Sequence, residues 1–306
     1  MTTVTRFGAF LPKDTDGNVA QLHGIGVWRF GDTWYAYGEN KVNGNLFQGV
    51  ACYTTKDFDA WENHGIVLDV QEDGSALGAD RIGERPKVLH CPKTGKYVML
   101  IHAETPGYGY AHIGVAVADD PLGPFAFRTT ITWRGYLSRD IGVFQDSDGA
   151  AYVMSEDRDH GTHIYRLSDD YLTIVEDVAC ERATDYEYGL ESPTIVKKDG
   201  LYYWFGSKLT GWSTNDNMFS TATDLHGPWS EWRLFAPAGS QTFDSQVDIV
   251  VPLGDDPYDS DEFLFIGDRW MKDDLGDSPI VQLPIVIGDG KASIAWDESY
   301  EGSTHR

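Results

Sequence analysis

The sequence predicts an all-β protein, a five-bladed β-propeller with four antiparallel strands per blade. Three observations predict it. One phrase recurs five times: a polar residue, a short apolar run, a tight turn and an aromatic strand. The copies start 61, 56, 51 and 55 residues apart, the spacing of a blade-sized unit. No helical pattern longer than a turn or two interrupts them. A decorated β-sandwich has no need of the same aromatic strand at such intervals, so the propeller is preferred.

The first copy, HGIGVWRFGDTWYAYGE from His23, folds back at Gly31-Asp32 and continues into QGVACYTT and IVLDV. The second, ERPKVLHCPKTGKYVMLIH from Glu84, turns at Pro92–Gly95 and runs on through AHIGVAVADDPLGPF. The third is DIGVFQDSDGAAYVMSED from Asp140. The fourth, ESPTIVKKDGLYYWFGS from Glu191, turns at Asp199-Gly200 and ends in MFSTATDLHGPWSEW. The fifth is QVDIVVPLGDDPYDSDEFLFIGD from Gln246. Asp-Gly and Gly-Asp pairs between apolar runs are hairpin signals. The segments GVACYTTKDFDAW, GVAVADDPLGPF and FSTATDLHGPW are alike and occupy the same place in units one, two and four, a second layer of repetition.

The repeat runs nearly end to end over the 306 residues with no linker, which predicts one propeller domain over 1–306. A net charge of −24 argues against nucleic acid and anionic membrane as partners and leaves neutral ligands. No stretch nears the roughly 18 apolar residues of a membrane span. The start, MTTVTRFGAFLPKDTDG, lacks a basic segment followed by an apolar one, and the three cysteines are sparse and odd in number. Together these predict a cytoplasmic protein without a disulfide framework. Oligomeric state is open. Ten Trp and 16 Tyr are mostly blade core, with a few available as platforms for sugar rings.

In a propeller the first strand of every blade lines one channel, so the five heads converge. Glu84, Asp140 and Glu191 make a carboxylate site the first hypothesis. Glu191, at a strand head facing a channel, gains a raised pKa from desolvation and neighbouring carboxylates, as a general acid requires. Asp140 is a second carboxylate, and on an extended strand Arg139 points away from it. Glu84 is a third, and its neighbours Arg85 and Lys87 are expected to diverge from it. Pro86 fits the strand start. Gln246 is neutral and no ordinary base; Asp244 and Asp248, two residues either side, are rival bases. His23 is either a channel ligand or a satisfied core histidine. His160 and His163 in DRDHGTH read as a solvated loop rather than a metal site. The acidic turns DDPYDSDE and KDDLGD lack EF-hand spacing. No cofactor is required; a structural Ca²⁺ is the one ion left open.

Along nearly its whole length the chain resembles glycoside hydrolase family 43, through AQLHGIGVWRFGDTWYAYGE, ERPKVLHCPKTGKYVML, YLSRDIGVFQDSDGAAYV, ESPTIVKKDGLYYWFGSKLTGW, DSQVDIVV and FIGDRWMKDDLGDSPIVQLPI. Within the family it is most similar to the exo-β-1,3-galactanase group. The resemblance implies Glu191 as general acid, Asp140 as the carboxylate that modulates and positions it, and Glu84 as a sugar contact. It implies Gln246 where a general base would act on water. Most of the family carries an aspartate base in the first blade, where this chain reads QLHGIG. Candidate substrate-binding residues are Gln21, His23, Tyr110, Thr210, Trp212 and Arg269. The implied reaction is inverting, exo-acting release of terminal galactose from β-1,3-linked galacto-oligosaccharides. The alternatives are an α-L-arabinofuranosidase or β-galactofuranosidase on the same scaffold, and a non-catalytic sugar-binding propeller.

Overall fold

The computed structural model describes residues 2–183 and 188–299. A short strand, β1 (Gly8–Phe10), comes first. Blade I is β2 (His23–Phe30), β3 (Thr33–Glu39), β4 (Val50–Thr55) and β5 (Glu62–Leu68). Blade II is β6 (Ile82–His90), β7 (Tyr97–Glu104), β8 (His112–Ala118) and β9 (Ala126–Ile131). Blade III is β10 (Arg139–Gln145), β11 (Ala151–Glu156), β12 (Thr162–Leu167) and β13 (Ile174–Glu181). Blade IV is β14 (Glu191–Lys198), β15 (Leu201–Ser207), β16 (Met218–Ala222) and β17 (Arg233–Leu234). Blade V is β18 (Gln246–Pro252), β19 (Phe263–Asp268) and β20 (Ile280–Gly288). Two strands share its outer edge: β21 (Lys291–Ile294) pairs with one end of β20, and β1 pairs with the other, Ala9 opposite Val281. The first strand of the chain thus closes the ring. All pairings between these strands are antiparallel, and the architecture is the predicted five-bladed propeller.

The turns follow the local chemistry. Gly31-Asp32 joins Phe30 to Thr33, and Asp199-Gly200 joins Lys198 to Leu201. Asp199 and Gly200 both take positive φ (52° and 75°), as a two-residue turn matched to the right-handed strand twist needs. Five apolar clusters fill the seams, one between each pair of neighbouring blades. Leu89, Val98 and Ile113 of blade II, for example, pack on Ile141, Val153 and Tyr165 of blade III. The outermost strands β9 and β17 are largely exposed, so the core is a set of radial wedges.

The first strands pack side by side around the axis. Each carries a β-bulge near its head: between His23 and Gly26, Glu84 and Lys87, Arg139 and Gly142, Glu191 and Thr194, and Val247 and Ile249. In the first four the second residue is left-handed: Gly24, Arg85, Asp140 and Ser192 have φ between 43° and 56°. A bulge breaks the two-residue alternation. Two consecutive side chains can then face the same channel. Here this corrects three expectations. Arg85 does not diverge from Glu84, Arg139 does not point away from Asp140, and Pro86 lies within the bulge rather than at the strand start. Close packing of the bulges also demands small residues. A Cβ on Gly142 would lie 1.7 Å from the Pro193 carbonyl oxygen, and one on Gly26 2.2 Å from that of Pro86.

Candidate active site

At the bulged end of the channel lies a cavity of about 260 Å³, lined by residues that include Glu84, Asp140, Glu191, Gln246, Trp212 and Trp270. A larger cavity, about 350 Å³, opens elsewhere on the channel strands. Its walls are mainly apolar, from Val27, Trp34, Phe144, Ile195, Val251 and Tyr258, and it contains no comparable carboxylate set. The carboxylate heads converge on the smaller one.

The heads arrive there by cross-strand pairing at or near the end of the second strand. His23 faces Glu39, Glu84 faces His102, Arg139 faces Glu156, Glu191 faces Ser207 and Gln246 faces Asp268. Arg139, not Asp140, is therefore the register counterpart of Glu84 and Glu191. Asp140 sits one residue further and reaches the cavity through the bulge, as does its own counterpart Arg85.

Arg85 is the hub. It is almost fully buried, with Nη2 donating to Gln246 Oε1 at 2.6 Å and Nη1 to Asp248 Oδ1 at 2.8 Å. Its Nε lies 3.3 Å from Asp140 Oδ2, and its backbone N–H donates to Glu39 Oε1 at 2.8 Å. His102, fully buried, sits among three carboxylates: Nδ1 is 3.2 Å from Glu84 Oε2 and 3.7 Å from Asp140 Oδ1, and Nε2 is 3.7 Å from Glu104 Oε2. Burial alone would discharge this imidazole. Its contacts with Asp140, Glu104 and Glu84 outweigh that and hold its pKa well above the ordinary value. Tyr108 donates its hydroxyl to Glu84 Oε1 at 2.8 Å.

These cations sort the carboxyls. Burial would raise Asp140, but the Arg85 guanidinium and His102 pull it well below the usual carboxylate range. Glu84 is likewise held down, against its burial, by His102. Glu191 goes the other way: burial, then the charge of Asp140, push its carboxyl well above the usual range, with Arg158 and Arg85 opposing. Glu191 Oε1 accepts from Gln246 Nε2 at 3.1 Å, and Oε2 lies 3.9 Å from Arg158 Nη2. Glu156, in the same blade as Arg158, is pushed up to about 7 by burial. The arrangement sets a carboxyl whose pKa is raised beside a neighbour whose pKa is lowered, the division of labour that acid catalysis of glycoside cleavage uses.

Gln246 is saturated. Oε1 accepts from Arg85 and from Trp270 Nε1 (3.3 Å), while Nε2 donates to Glu191 and to Ser207 Oγ (2.8 Å). The rival carboxylates are elsewhere. Asp248 is buried beneath the cavity and paired with Arg85 and with Lys87 Nζ (3.1 Å). Asp244 ends a turn, Gln241–Asp244, whose four residues are all left-handed.

Of the candidate sugar contacts, Trp212 lines the cavity, set edge-on to Trp270 with ring centres 5.5 Å apart. The others are placed differently. Gln21 is buried outside the lining, bridging the Lys41 N–H and the Gly276 carbonyl. His23 lies behind Trp270, stacked on it at 5.5 Å and discharged by burial, its pKa pushed down to about 3. Tyr110 packs on His112 and bonds Thr130, and it is Tyr108 that enters the cavity. Thr210 bonds the Ser213 carbonyl, leaving its neighbour Gly211 in the wall. Arg269 donates to the carbonyls of Phe243 and Asp244, clamping the left-handed turn, while the adjacent Trp270 faces the cavity. Arg85, His102, Arg139, Arg158 and Glu39 were not among the expected residues. The acidic turn DDPYDSDE, residues 255–262, is held by ion pairs: Asp255 pairs with Arg29, and Asp259 and Asp261 with Lys198. His163, expected in a solvated loop, is instead buried in β12.

Several known proteins share this sequence and shape. A Bifidobacterium bifidum protein to which exo-β-1,3-galactanase activity has been provisionally assigned is 82% identical. The similarity covers 98% of this chain and 100% of that one, with a TM-score of 0.96. The exo-β-1,3-galactanase of Phanerochaete chrysosporium, solved with galactose, is 32% identical over 95% of this chain and 66% of its own, with a TM-score of 0.88. An exo-β-1,3-galactanase from Clostridium thermocellum is 32% identical over 97% of this chain and 65% of its own, with a TM-score of 0.82. A curated β-xylosidase of Xylanibacter ruminicola is 40% identical over 89 residues, which are 28% of this chain and 27% of that protein. The chain thus spans about two thirds of the fungal and clostridial chains, and the match takes in about a quarter of the curated relative. The pattern of glycosyl hydrolases family 43 matches residues 23–246, from the head of the first blade to the head of the last. The chain is a glycoside hydrolase and belongs to family 43.

Proposed function

We propose that this protein is an inverting, exo-acting hydrolase that releases terminal galactose from β-1,3-linked galacto-oligosaccharides. The observation that carries the reading is the split pair: Glu191 kept protonated beside an ionised Asp140, with Gln246 tying the acid to Arg85. Because Glu191 Oε1 already accepts from Gln246, the proton for the leaving oxygen belongs on Oε2. Arg158, 3.9 Å from Oε2, stabilises the carboxylate left after transfer. A cavity near the lower end of the roughly 300–1,000 Å³ of small-molecule sites suits one terminal ring, as exo action requires. Trp212 and Trp270 supply an apolar wall, and Glu84 a buried ionised acceptor for sugar hydroxyls. Two structures of one relative strengthen the sugar assignment: the Phanerochaete chrysosporium exo-β-1,3-galactanase was solved with galactose and, as a variant, with β-1,3-galactotriose.

Gln246 takes the place of a base without being one. With both N–H groups and both lone pairs committed, its amide fixes Glu191 and Arg85 around the space where water attacks and takes no proton itself. A product screen on β-1,3-, β-1,4- and β-1,6-galactobiose and arabinofuranosides, with the anomer read by NMR, tests the proposal. Inverted galactose from the β-1,3 substrate is expected. Preferred cleavage of an arabinofuranoside, or binding without cleavage, would refute it.

A further inference from the structure

The turn that carries Arg158 ends in a second constellation, Asp157, His160 and His163, outside the catalytic cavity. Asp157 and His163 are almost wholly buried, and His160 is half exposed. Asp157 Oδ1 accepts three backbone N–H groups, from Asp159 (3.1 Å), His160 (2.7 Å) and Gly161 (3.1 Å). That pins the carboxylate and aims Oδ2 at two imidazole nitrogens, His160 Nδ1 at 2.6 Å and His163 Nε2 at 3.4 Å. The three donor atoms lie within 4.8 Å of one another. Behind them, His163 Nδ1 is 3.1 Å from Asp177 Oδ1.

We infer that Asp157, His160 and His163 form a binding site for a zinc-class divalent metal ion. A carboxylate that takes the N–H of one ring nitrogen leaves the other nitrogen as a fixed lone pair, which is how metal-bound histidines are oriented. Here Asp177 does this to His163; without an ion the Nε2–H points at Asp157 Oδ2 across 3.4 Å, and a metal ion takes the place of that proton. Asp157 Oδ2 and His163 Nε2, both buried and fixed in place, become two ligands once that shared proton is displaced. A tetrahedral ion about 2.0–2.1 Å from its ligands spaces them roughly 3.3 Å apart. Asp157 and His163 already stand so; the half-exposed His160 swings outward to match. Tyr136, stacked on His160 at 4.4 Å, limits that swing. Two imidazoles with one carboxylate favour zinc-class ions over Ca²⁺ or Mg²⁺. The thiol of Cys180, 3.6 Å from His163 Nε2, adds a soft neighbour. An ion there braces the turn from which Arg158 reaches Glu191.

The untagged protein, stripped by chelator, is titrated with Co²⁺ and followed by its visible d–d absorption. A tetrahedral band that saturates at one equivalent, is displaced by Zn²⁺ and vanishes in His160→Ala is expected. Asp177→Asn should weaken binding about 10–100-fold. Far-UV circular dichroism of both variants confirms that they are folded. No band in the wild type overturns the proposal. So does a band unchanged in His160→Ala, which would place the ion at the Glu84–His102–Asp140 cluster instead.

Discussion

Replacing Glu191 by Gln isolates proton donation from every other property of the site. The amide keeps the size of the carboxyl, and its oxygen can still accept from Gln246 Nε2, now 3.1 Å away. What disappears is the proton on Oε2. General acid catalysis contributes about 10²–10⁴-fold, or about 2.7–5.4 kcal/mol of barrier. Turnover of β-1,3-galactobiose should fall by that much, whereas an aryl galactoside with a strongly acidic phenol, which departs unprotonated, should lose far less. The wild-type rate should also decline as pH rises through the raised pKa of Glu191, and the variant should lack that limb. Stability runs in the same direction. A carboxyl whose folded pKa is raised favours the folded state below its ordinary pKa and loses that contribution as pH rises through the folded value. The variant should therefore melt no lower than the wild type at neutral pH. A loss under about tenfold on galactobiose would refute the assignment. So would equal losses on both substrates, since a positioning role does not depend on the leaving group.

Arg85→Met strips a buried cation from Asp248 and Asp140, leaving them Lys87 and His102. It should cost about 3–5 kcal/mol in urea unfolding, and a cost below about 1 kcal/mol would contradict the hub role. Gly142→Ala drives a methyl into the Pro193 carbonyl, so at least about 1–3 kcal/mol of stability should be lost, whereas Gly107→Ala, with open space around it and no positive φ, should lose less. Glu104 has its pKa held down to about 2, against its burial, by His102 and backbone N–H groups, so its stabilisation is full above about 4.5 and fades as pH falls towards 2. Acid unfolding of Glu104→Gln should accordingly show a shallower pH dependence across that window; an unchanged slope would count against it. Removing residues 2–10 strips β1 and buried Phe10 from blade V and should lower the melting midpoint, with at least about 1.5–3 kcal/mol for the phenylalanine alone.

The blades were legible because strands and hairpins are local. Alternation, aromatic content and Asp-Gly turns lie within a few residues of one another. The heads Glu84, Glu191 and Gln246 were legible because a repeat marks corresponding positions. The bulges were not. They place Asp140 one residue out of register with the other heads and turn Arg85 and Arg139 inward, where simple alternation sends them out. Gly24, at the bulge of blade I, was the one visible sign of a left-handed residue there. Tyr108 rather than Tyr110, and Trp270 rather than Arg269, enter the cavity from loops where no periodicity applies. His102 and Arg158 could have been suspected only as the cations that three convergent carboxyls must have.

The edge shared by β1 and β21 has a consequence for how the chain is made. The strand that completes blade V leaves the ribosome before blades I to IV, and its partner β20 after them. Blades I to IV are each contiguous in sequence and can assemble as they emerge. Blade V cannot, since its outer strand lies some 270 residues from the strand it meets. Until synthesis reaches β20, Gly8–Phe10 is an unpaired segment and the ring an open arc with apolar surface at both ends. The catalytic cavity, which needs Gln246 from the last blade beside Glu191 and Arg85, is in the same position. Ring and active site are therefore completed together, and a nascent chain arrested before blade V should carry neither.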